Sequence, residues 1–595
     1  MRPTDTGDPN HYHRVVDCQW ACPAHTDVPE YIRLIAQGRY ADAYLLNRRS
    51  NVFPGILGRV CDRPCEPACR RGRVDDKPVA ICRLKRSAAD LKGDLAGRLP
   101  QAPAVRNGKR VACIGAGPAS LTVANDLAPL GYDVVVYERQ TAPGGLMRSN
   151  IPSFRLPQAV LDEEIGMILA QGVTLRVGAP VDSLRELLAD GGYDAIFVGS
   201  GAPKGKELNL PGRTGSDRIH IGIQWLESVA FGHVGEIGER VLIIGVGNTA
   251  MDCCRTSLRL GARSVKVMAR KPRAYFKASE WELEDAEAEQ VEIVVNHSPR
   301  EFVHEGGRLV AMIFDQIEYS EAGGRITSER VTGQVRIECD DVILAIGQEN
   351  AFPWIERDLG VEFDRWDLPK VDPATFQSTR PEVYFGGDAA LGPRNIIWAV
   401  EQAHQAAISI DRYLRNEDVA ARPASTMALS SRKMGMHEWA YKNDYATLGR
   451  RLVPHVSLAE RFKKISIEVE LGFTPEQAAQ EAQRCLNCDV QTVFESKLCI
   501  ECDACVDVCP VDCLTITGAG EEPELRTRLR APALRADQVL YVSPALPQTG
   551  RVMIKDENLC VHCGLCAERC PTAAWDMQKS TLHWPHAGDG DRTCQ

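Results

Sequence analysis

Residues 110–138 read RVACIGAGPASLTVANDLAPLGYDVVVYE. An apolar strand runs into Gly115-x-Gly117-x-x-Ser120, a helix follows, and a second strand ends at Glu138. The first glycine makes the tight turn. The second lets backbone approach a pyrophosphate seated on the helix N-terminus. Ser120 stands where Gly or Ala is usual and is still small enough for close packing. Glu138 lies 21 residues after Gly117, where a carboxylate accepts hydrogen bonds from a ribose. Strand, helix, strand and acid together specify a dinucleotide-binding unit, against the blander reading of a plain βαβ.

The unit recurs at 240–271, RVLIIGVGNTAMDCCRTSLRLGARSVKVMARK, where Gly245-x-Gly247-x-x-Ala250 opens the helix. Its second strand ends in Arg270 and Lys271, with Arg273 and Lys277 following. Cations there suit a 2′-phosphate, so NADPH is favoured over NADH; the other reading is a solvated surface. Cys253 and Cys254 fall inside the helix and read as packing thiols. YDAIFVGSGA (193–202, containing Gly201) and DDVILAIGQ (340–348) are strands ending in small residues, where backbone passes near a dinucleotide. EVYFGGDAALGPRNIIWAVEQAHQAA (382–407) is a strand, a Gly-Gly-Asp turn at Gly387 and Asp388, and a long helix starting near Asn395. Asp388 suits ribityl or phosphate-linked hydroxyls. The order is nested: a first dinucleotide domain over 106–235 and 375–415, and a second inserted at 236–374.

The chain has 595 residues, enough for three to five domains. Its composition is that of ordinary globular material, 44% hydrophobic and 25% charged. A net charge of −10 argues against nucleic acid as a partner. No apolar run is long enough to span a membrane, and the N-terminal residues carry no apolar secretory stretch. A cytoplasmic protein is expected.

Twenty-two cysteines are clumped at the two ends: seven from Cys18 to Cys113, twelve from Cys485 to Cys594, and only Cys253, Cys254 and Cys339 between. Clumping points to metal or redox sites rather than disulfides. The C-terminal run Cys499-x2-Cys502-x2-Cys505-x3-Cys509-Pro510 repeats as Cys560-x2-Cys563-x2-Cys566-x3-Cys570-Pro571. This is the bacterial ferredoxin pattern, in which three thiolates curl round one [4Fe–4S] cube and the fourth reaches the other. Cys499, Cys502, Cys505 and Cys570 are assigned to one cube, and Cys560, Cys563, Cys566 and Cys509 to the second. Paired zinc sites would not need that repeated three-plus-one pattern. The stretch 517–550 reads as an inserted loop. At the other end, Cys18, Cys22, Cys61, Cys65, Cys69 and Cys82, with the distant pair Cys485 and Cys488, make eight thiols. That is the number two cubes require, with a lone zinc site or buried structural thiols as the other readings. Cys113, Cys339, Cys513 and Cys594 have no assigned role.

The motifs DCQWACPAH, GRVCDRPCEPAC, GAGPAS, PGGLMRSNIPSFRLP, GVGNTAMDC, ARK and GGDAA resemble the small (beta) subunit of NADPH-dependent glutamate synthase. They are similar also to the flavin and NADPH portion of dihydropyrimidine dehydrogenase. The resemblance covers about residues 14–415. It implies FAD on the first fold, a nicotinamide dinucleotide on the second, and two [4Fe–4S] clusters in an N-terminal helical domain. By that resemblance Gly145, Leu146 and Arg155 face FAD. Asn248, Thr249, Arg270, Lys271 and Lys277 face NADPH, and Ala345, Ile346 and Gly347 line the nicotinamide cleft. Two departures stand out. A CxxC expected shortly before Cys18 is absent, and RCLNC at 484–488 looks like that motif moved to the far end. A fold-back around 476–490 would let Cys18, Cys69, Cys485 and Cys488 share one cube. The family's frequent Glu or Gln ligand falls on Lys85, which cannot ligate; Cys82, one turn earlier, completes a set with Cys22, Cys61 and Cys65.

The expected architecture is multidomain α/β. An N-terminal helical iron–sulfur domain (1–105) precedes the two nested Rossmann-like domains. A linker and return segment (416–495), an α+β ferredoxin-like domain (496–578) and a disordered tail (579–595) follow. NADPH gives two electrons at once and the cubes carry one each, so a flavin must stand between them. No acid–base residue is required, and none is named. No barrel of the kind that reduces an organic substrate fits after 415. The chain therefore reads as an electron-transfer subunit of a hetero-oligomer. Its partner would be a glutamate synthase large subunit or a 2-oxoacid:ferredoxin oxidoreductase. The alternatives are a self-contained NAD(P)H:ferredoxin oxidoreductase acting on free ferredoxin, and a non-enzymatic cluster scaffold or redox sensor.

Overall fold

Strands rich in Val and Ile, apolar on both faces, build two parallel sheets in the computed structural model, which describes residues 1–190, 192–431, 448–535 and 540–589. The chain divides into two units. One comprises 100–421 with 454–471; the other comprises 1–99, 422–453 and 472–595.

In the first unit, one sheet takes the order Val383–Phe385, Ala195–Val198, Arg110–Ile114, Asp133–Tyr137, Thr174–Arg176, every pair parallel. Continuous burial along Val111–Ile114 and Ala195–Val198 is the signature of strands covered on both faces. The helices Pro118–Leu127 and Ile396–Leu414 pack on each other over it. The second parallel sheet runs Ile219–Ile221, Asp341–Leu344, Arg240–Ile244, Ser264–Met268, Glu292–Val294. It carries an antiparallel three-stranded appendage, His297–Glu305, Arg308–Ala322 and Arg325–Glu338, turned at Gly323-Gly324. The expected boundary at 235/236 is corrected by this pairing. Ile219–Ile221 already belongs to the second sheet, held against Asp341–Leu344. Three residues flanked by polar ones are too short to show a period in sequence.

The second unit combines short helices with two small sheets. Trp575–His583 lies between Thr426–Ser431 and Val490–Phe494, antiparallel to both. Leu514–Thr517, Val552–Lys555 and Tyr541–Val542 form the other sheet. Two expectations are corrected here. The tail does not begin at 579, because the strand runs on to His583, and the segment 416–436 contains a strand rather than only linker. The polar composition of 579–583 hid the last part of the strand, which pairs with 426–430. Within 517–550, Glu522–Arg526 is a helix. The first residues are also structured: the Met1 amino group donates to the Gly520 carbonyl at 2.6 Å, and the Thr4 N–H to the Val542 carbonyl at 2.9 Å. Cys594 lies outside the described residues.

Candidate functional site

The first glycine loop is tight enough to exclude side chains. Gly145 has φ +53°, and a Cβ there would stand 2.9 Å from the Cα of Gly117. Gly117 is the N-cap of Pro118–Leu127, and no side chain caps that first turn, which suits a pyrophosphate at the helix N-terminus. Ser120 packs where a Cβ on Gly199 would meet its Oγ at 2.3 Å, so the small third residue is required by close strand–helix contact. Glu138 is buried and accepts from the N–H of Ala116 and of Gln140, both at 2.8 Å, which fixes its carboxylate beside the loop. Leu146 opens the short helix after Gly145. Gly201 follows the strand Ala195–Val198, and Gly387 follows Val383–Phe385. Asp388 accepts from the N–H of Arg394 at 2.8 Å, and burial pushes its carboxyl up to about 6. Asn395 caps the helix Ile396–Leu414 by accepting from Trp398 at 3.2 Å.

Arg155 departs from expectation. Its guanidinium is ion-paired with Asp252, at 2.6 Å, and with Glu282. Both acids come from helices of the second fold, which already match its charge.

At the second loop a Cβ on Gly245 (φ +124°) would meet the Ala345 carbonyl at 2.2 Å, so only glycine lets the two strand ends approach. A Cβ on Gly247 would meet nothing within 4 Å, leaving open space before the helix Asn248–Arg259. Thr249 and Ala250 lie in that first turn, and Asn248 accepts from the N–H of Ser279 at 2.9 Å. Ala345 is bonded back to Ile244, and the Gly347 carbonyl accepts from Lys206 at 3.0 Å, with Ile346 between them. Arg270 is exposed and paired with Glu329 at 3.1 Å, Lys271 lies over the Tyr275 ring, and the Lys277 N–H donates to Val246 of the glycine loop. Cys253 and Cys254 are fully buried, and burial pushes both thiols up; they are packing residues.

The structure brings thiols from distant segments together. Cys18, Cys69, Cys485 and Cys488 enclose a cavity also lined by Asp17, Arg70 and Arg71. Burial, then the neighbouring thiols, pushes Cys18 well up. Cys82 is hydrogen-bonded by Cys61 and Cys65, which holds its thiol well below the ordinary range. The buried Lys85 ammonium faces Cys82, Cys61, Cys65 and Cys22. Glu66 accepts from the Cys82 N–H at 3.0 Å and is paired with Arg450 at 2.6 Å, fixing the helix that carries Cys82. Tyr31, fully buried, donates at 3.3 Å to the carbonyl of Ile81, which precedes Cys82 and lines the Cys18 cavity. Cys499 and Cys505 lie near Cys570, with Cys502 beside Cys499. Cys563 lies near Cys560 and Cys509, and Cys566 near Cys560, Cys563 and Cys505. The fourth thiol of each run is thus crossed to the other.

Sequence reasoning left Cys513 without a role. Its Sγ is 3.5 Å from that of Cys509, and its thiol holds both Cys509 and Cys560 down to about 6. The only signal was its spacing, four residues after Cys509. Glu557, Cys560 and His562 also converge. However, Lys555 pairs with Glu557 at 3.0 Å and Arg70 reaches His562 Nε2 at 2.5 Å, so that group is already matched by cations.

Three family descriptions match the chain: pyridine nucleotide-disulphide oxidoreductase over residues 109–407, dihydropyrimidine dehydrogenase domain II with a 4Fe-4S cluster over 13–95, and 4Fe-4S dicluster domain over 498–574. The NADP(+)-dependent formate dehydrogenase subunit beta of Moorella thermoacetica is 36% identical, across 79% of this chain and 70% of its own. The NADPH-Fe(3+) oxidoreductase subunit beta of Geobacter sulfurreducens is 33% identical, across 81% and 77%. The glutamate synthase [NADPH] small chain of Azospirillum brasilense is 32% identical, across 67% and 86%. Among the described residues, no helix is long and apolar enough to cross a membrane.

Proposed function

The chain belongs to the pyridine nucleotide-disulphide oxidoreductase family, and from that premise we propose that it exchanges hydride between NADPH and FAD and relays single electrons through four [4Fe–4S] clusters to or from a partner protein. It is an electron-transfer oxidoreductase with iron–sulfur domains at both ends. FAD, when bound, joins a two-electron nicotinamide to one-electron iron–sulfur carriers. The chain's own work is to hold and orient. Gly115, Gly117, Ser120 and Gly145 leave backbone room for the FAD pyrophosphate. Glu138 serves its ribose, and Leu146, Gly201, Gly387, Asp388 and Asn395 complete that site. Gly245, Gly247, Asn248, Thr249 and Ala250 receive the second pyrophosphate, and Arg270, Lys271 and Lys277 a 2′-phosphate. Ala345, Ile346 and Gly347 border the nicotinamide.

The reading is supported by one observation: Cys18, Cys69, Cys485 and Cys488, from segments more than 400 residues apart, line one cavity, in a chain whose other end repeats the ferredoxin spacing. Cube chemistry needs four thiolates at each site. The partner class is suggested by the relatives' names: beta subunits of a formate dehydrogenase and of an NADPH-Fe(3+) oxidoreductase, and a glutamate synthase small chain. The purified anaerobic chain should contain about sixteen iron atoms, four per cube, and NADPH should bleach its flavin band near about 450 nm. Reduction of free ferredoxin should be slow compared with reduction of the co-purified partner. A colourless zinc protein overturns the proposal, and full-rate reduction of free ferredoxin by the chain alone favours the self-contained reductase.

A further inference from the structure

Arg70 is buried to 1% exposure and touches two of the four thiol groups. It lines the cavity enclosed by Cys18, Cys69, Cys485 and Cys488. From there its Nε donates to Asp17 at 2.8 Å, while Nη1 donates to the Cys560 carbonyl at 2.9 Å and meets His562 Nε2 at 2.5 Å. The His562 N–H in turn donates to the Cys560 Sγ at 3.4 Å, and its Nδ1 lies 3.4 Å from the carbonyl of Val490, two residues after Cys488. The segments carrying Cys488 and Cys560 are therefore joined through two buried side chains. At the outer end, Cys502 is exposed, and so are its neighbours Leu498 and Ile500. The short helices that carry Cys505 and Cys566 pack on each other, and Ile81, next to Cys82, lines the Cys18 cavity.

We infer that Arg70 and His562 form the joint of a linear relay, running from the Cys22 group through the Cys18 group and the Cys560 group to the Cys499 group, which is the terminus that meets the external partner. This order rests on the four-cluster reading above. Cubes held by Cys18, Cys69, Cys485 and Cys488 and by Cys560, Cys563, Cys566 and Cys509 would exchange one electron at a time across the joint, the first losing what the second gains, with no bond made or broken. NADPH is the source. The guanidinium has a second effect. A buried cation favours the more negative, reduced form of each cube it faces, so it raises both potentials and keeps the step between them small. Arg70 is a positioning residue, since it acts through the cubes it orders.

The test uses the full-length, cluster-loaded chain, with iron counted and each cube followed by freeze-quenched electron paramagnetic resonance. An unsubstituted chain holding fewer than sixteen irons, or holding zinc, defeats the four-cluster reading itself. With that count secured, Cys563→Ala should leave the Cys499 cube reducible by dithionite but slow its reduction by NADPH at least a hundredfold. Cys502→Ala should leave NADPH reduction of the Cys560 cube at the unsubstituted rate and lower the rate toward a protein one-electron acceptor at least tenfold. NADPH reduction of the Cys499 cube at the unsubstituted rate in the first variant, or an unchanged acceptor rate in the second, overturns the order. If Cys563→Ala strips both ferredoxin cubes, Arg70→Met decides. It should retain sixteen irons, slow transfer into the ferredoxin cubes at least tenfold, and shift the two flanking cubes to lower potential but not the Cys499 cube, with Arg70→Lys restoring most of the shift. Unmoved potentials and rate in Arg70→Met overturn the joint.

Discussion

A methyl group on Gly145 would strike the backbone of Gly117 at a φ that L-residues rarely adopt. Gly145→Ala should therefore weaken FAD by at least about tenfold, or ~1.4 kcal/mol. The flavin-to-protein ratio after desalting measures this, with circular dichroism unchanged. Such glycines were legible in sequence because their spacing is local. The partners of Arg155 were not, because Asp252 and Glu282 lie about 100 or more positions away and no pattern links them. Asp27 was equally silent. It caps Val28–Ala36 by accepting from the Glu30 N–H, and burial, then the carboxylate of Asp489, raises its carboxyl from 3.8 to about 7. The folded chain keeps a proton there that the unfolded chain releases from about pH 4 upward. Its contribution is full below that range and is lost as pH rises through about 7. The melting temperature of Asp27→Asn relative to the unsubstituted chain should thus climb between pH 5 and 8, by roughly the slope that one proton imposes. A flat difference would refute the assignment.

At the scale of elements, RCLNC is positioned by a lock that its own residues do not announce. The helix Pro475–Ala482 begins at a capping box of Thr474 and Gln477. Just after its end, Arg484 is fully buried, paired with Asp75 at 2.9 Å and Glu481 at 3.0 Å, and donates to the carbonyls of Lys77 and Pro78. Glu481 also accepts from the N–H groups of Ala80 and Arg451, both at 2.8 Å. Thiol spacing was enough to single out Cys485 and Cys488, whereas the lock is long-range and charged, so it leaves no period to read. Removing one member of a buried pair costs about 3–5 kcal/mol. Arg484→Met should free the return segment and lower iron by about four atoms, the loss expected of Cys485→Ser with Cys488→Ser. The flavin band should stay as it was. Iron analysis beside the visible spectrum checks both halves.

The whole molecule combines two kinds of core in one chain. In the 100–421 unit, apolar strands and helices close around residues such as Val241, Ile243, Met251 and Leu283, with no help from the terminal thiols. Its fold class was readable because each βαβ turn carries its own glycines, and because buried parallel strands are continuous apolar runs. The other unit is different. Asp17–Trp20, Cys65–Ala68, Ala504–Asp507 and Leu565–Arg569 are helices of four or five residues, far below the length that sustains itself. One of its apolar clusters includes Cys505, Cys513 and Cys560 among the buried members, with Cys499, Cys509, Cys566 and Cys570 packed on it. Such a core depends on what its thiols bind, because metal-binding free energy becomes folding free energy when no site survives unfolding. Chelation of iron under reducing conditions should therefore split the calorimetric unfolding into two events. The event that follows the flavin fluorescence should hold its temperature. The event that follows cleavage within 1–99 and 472–535 by a protease should fall by more than about 10 °C, since several kcal/mol shift a domain of this size by that order. A single transition that moves as one with iron content would mean that the parallel-sheet unit also leans on the clusters, and would remove the division of cores argued here.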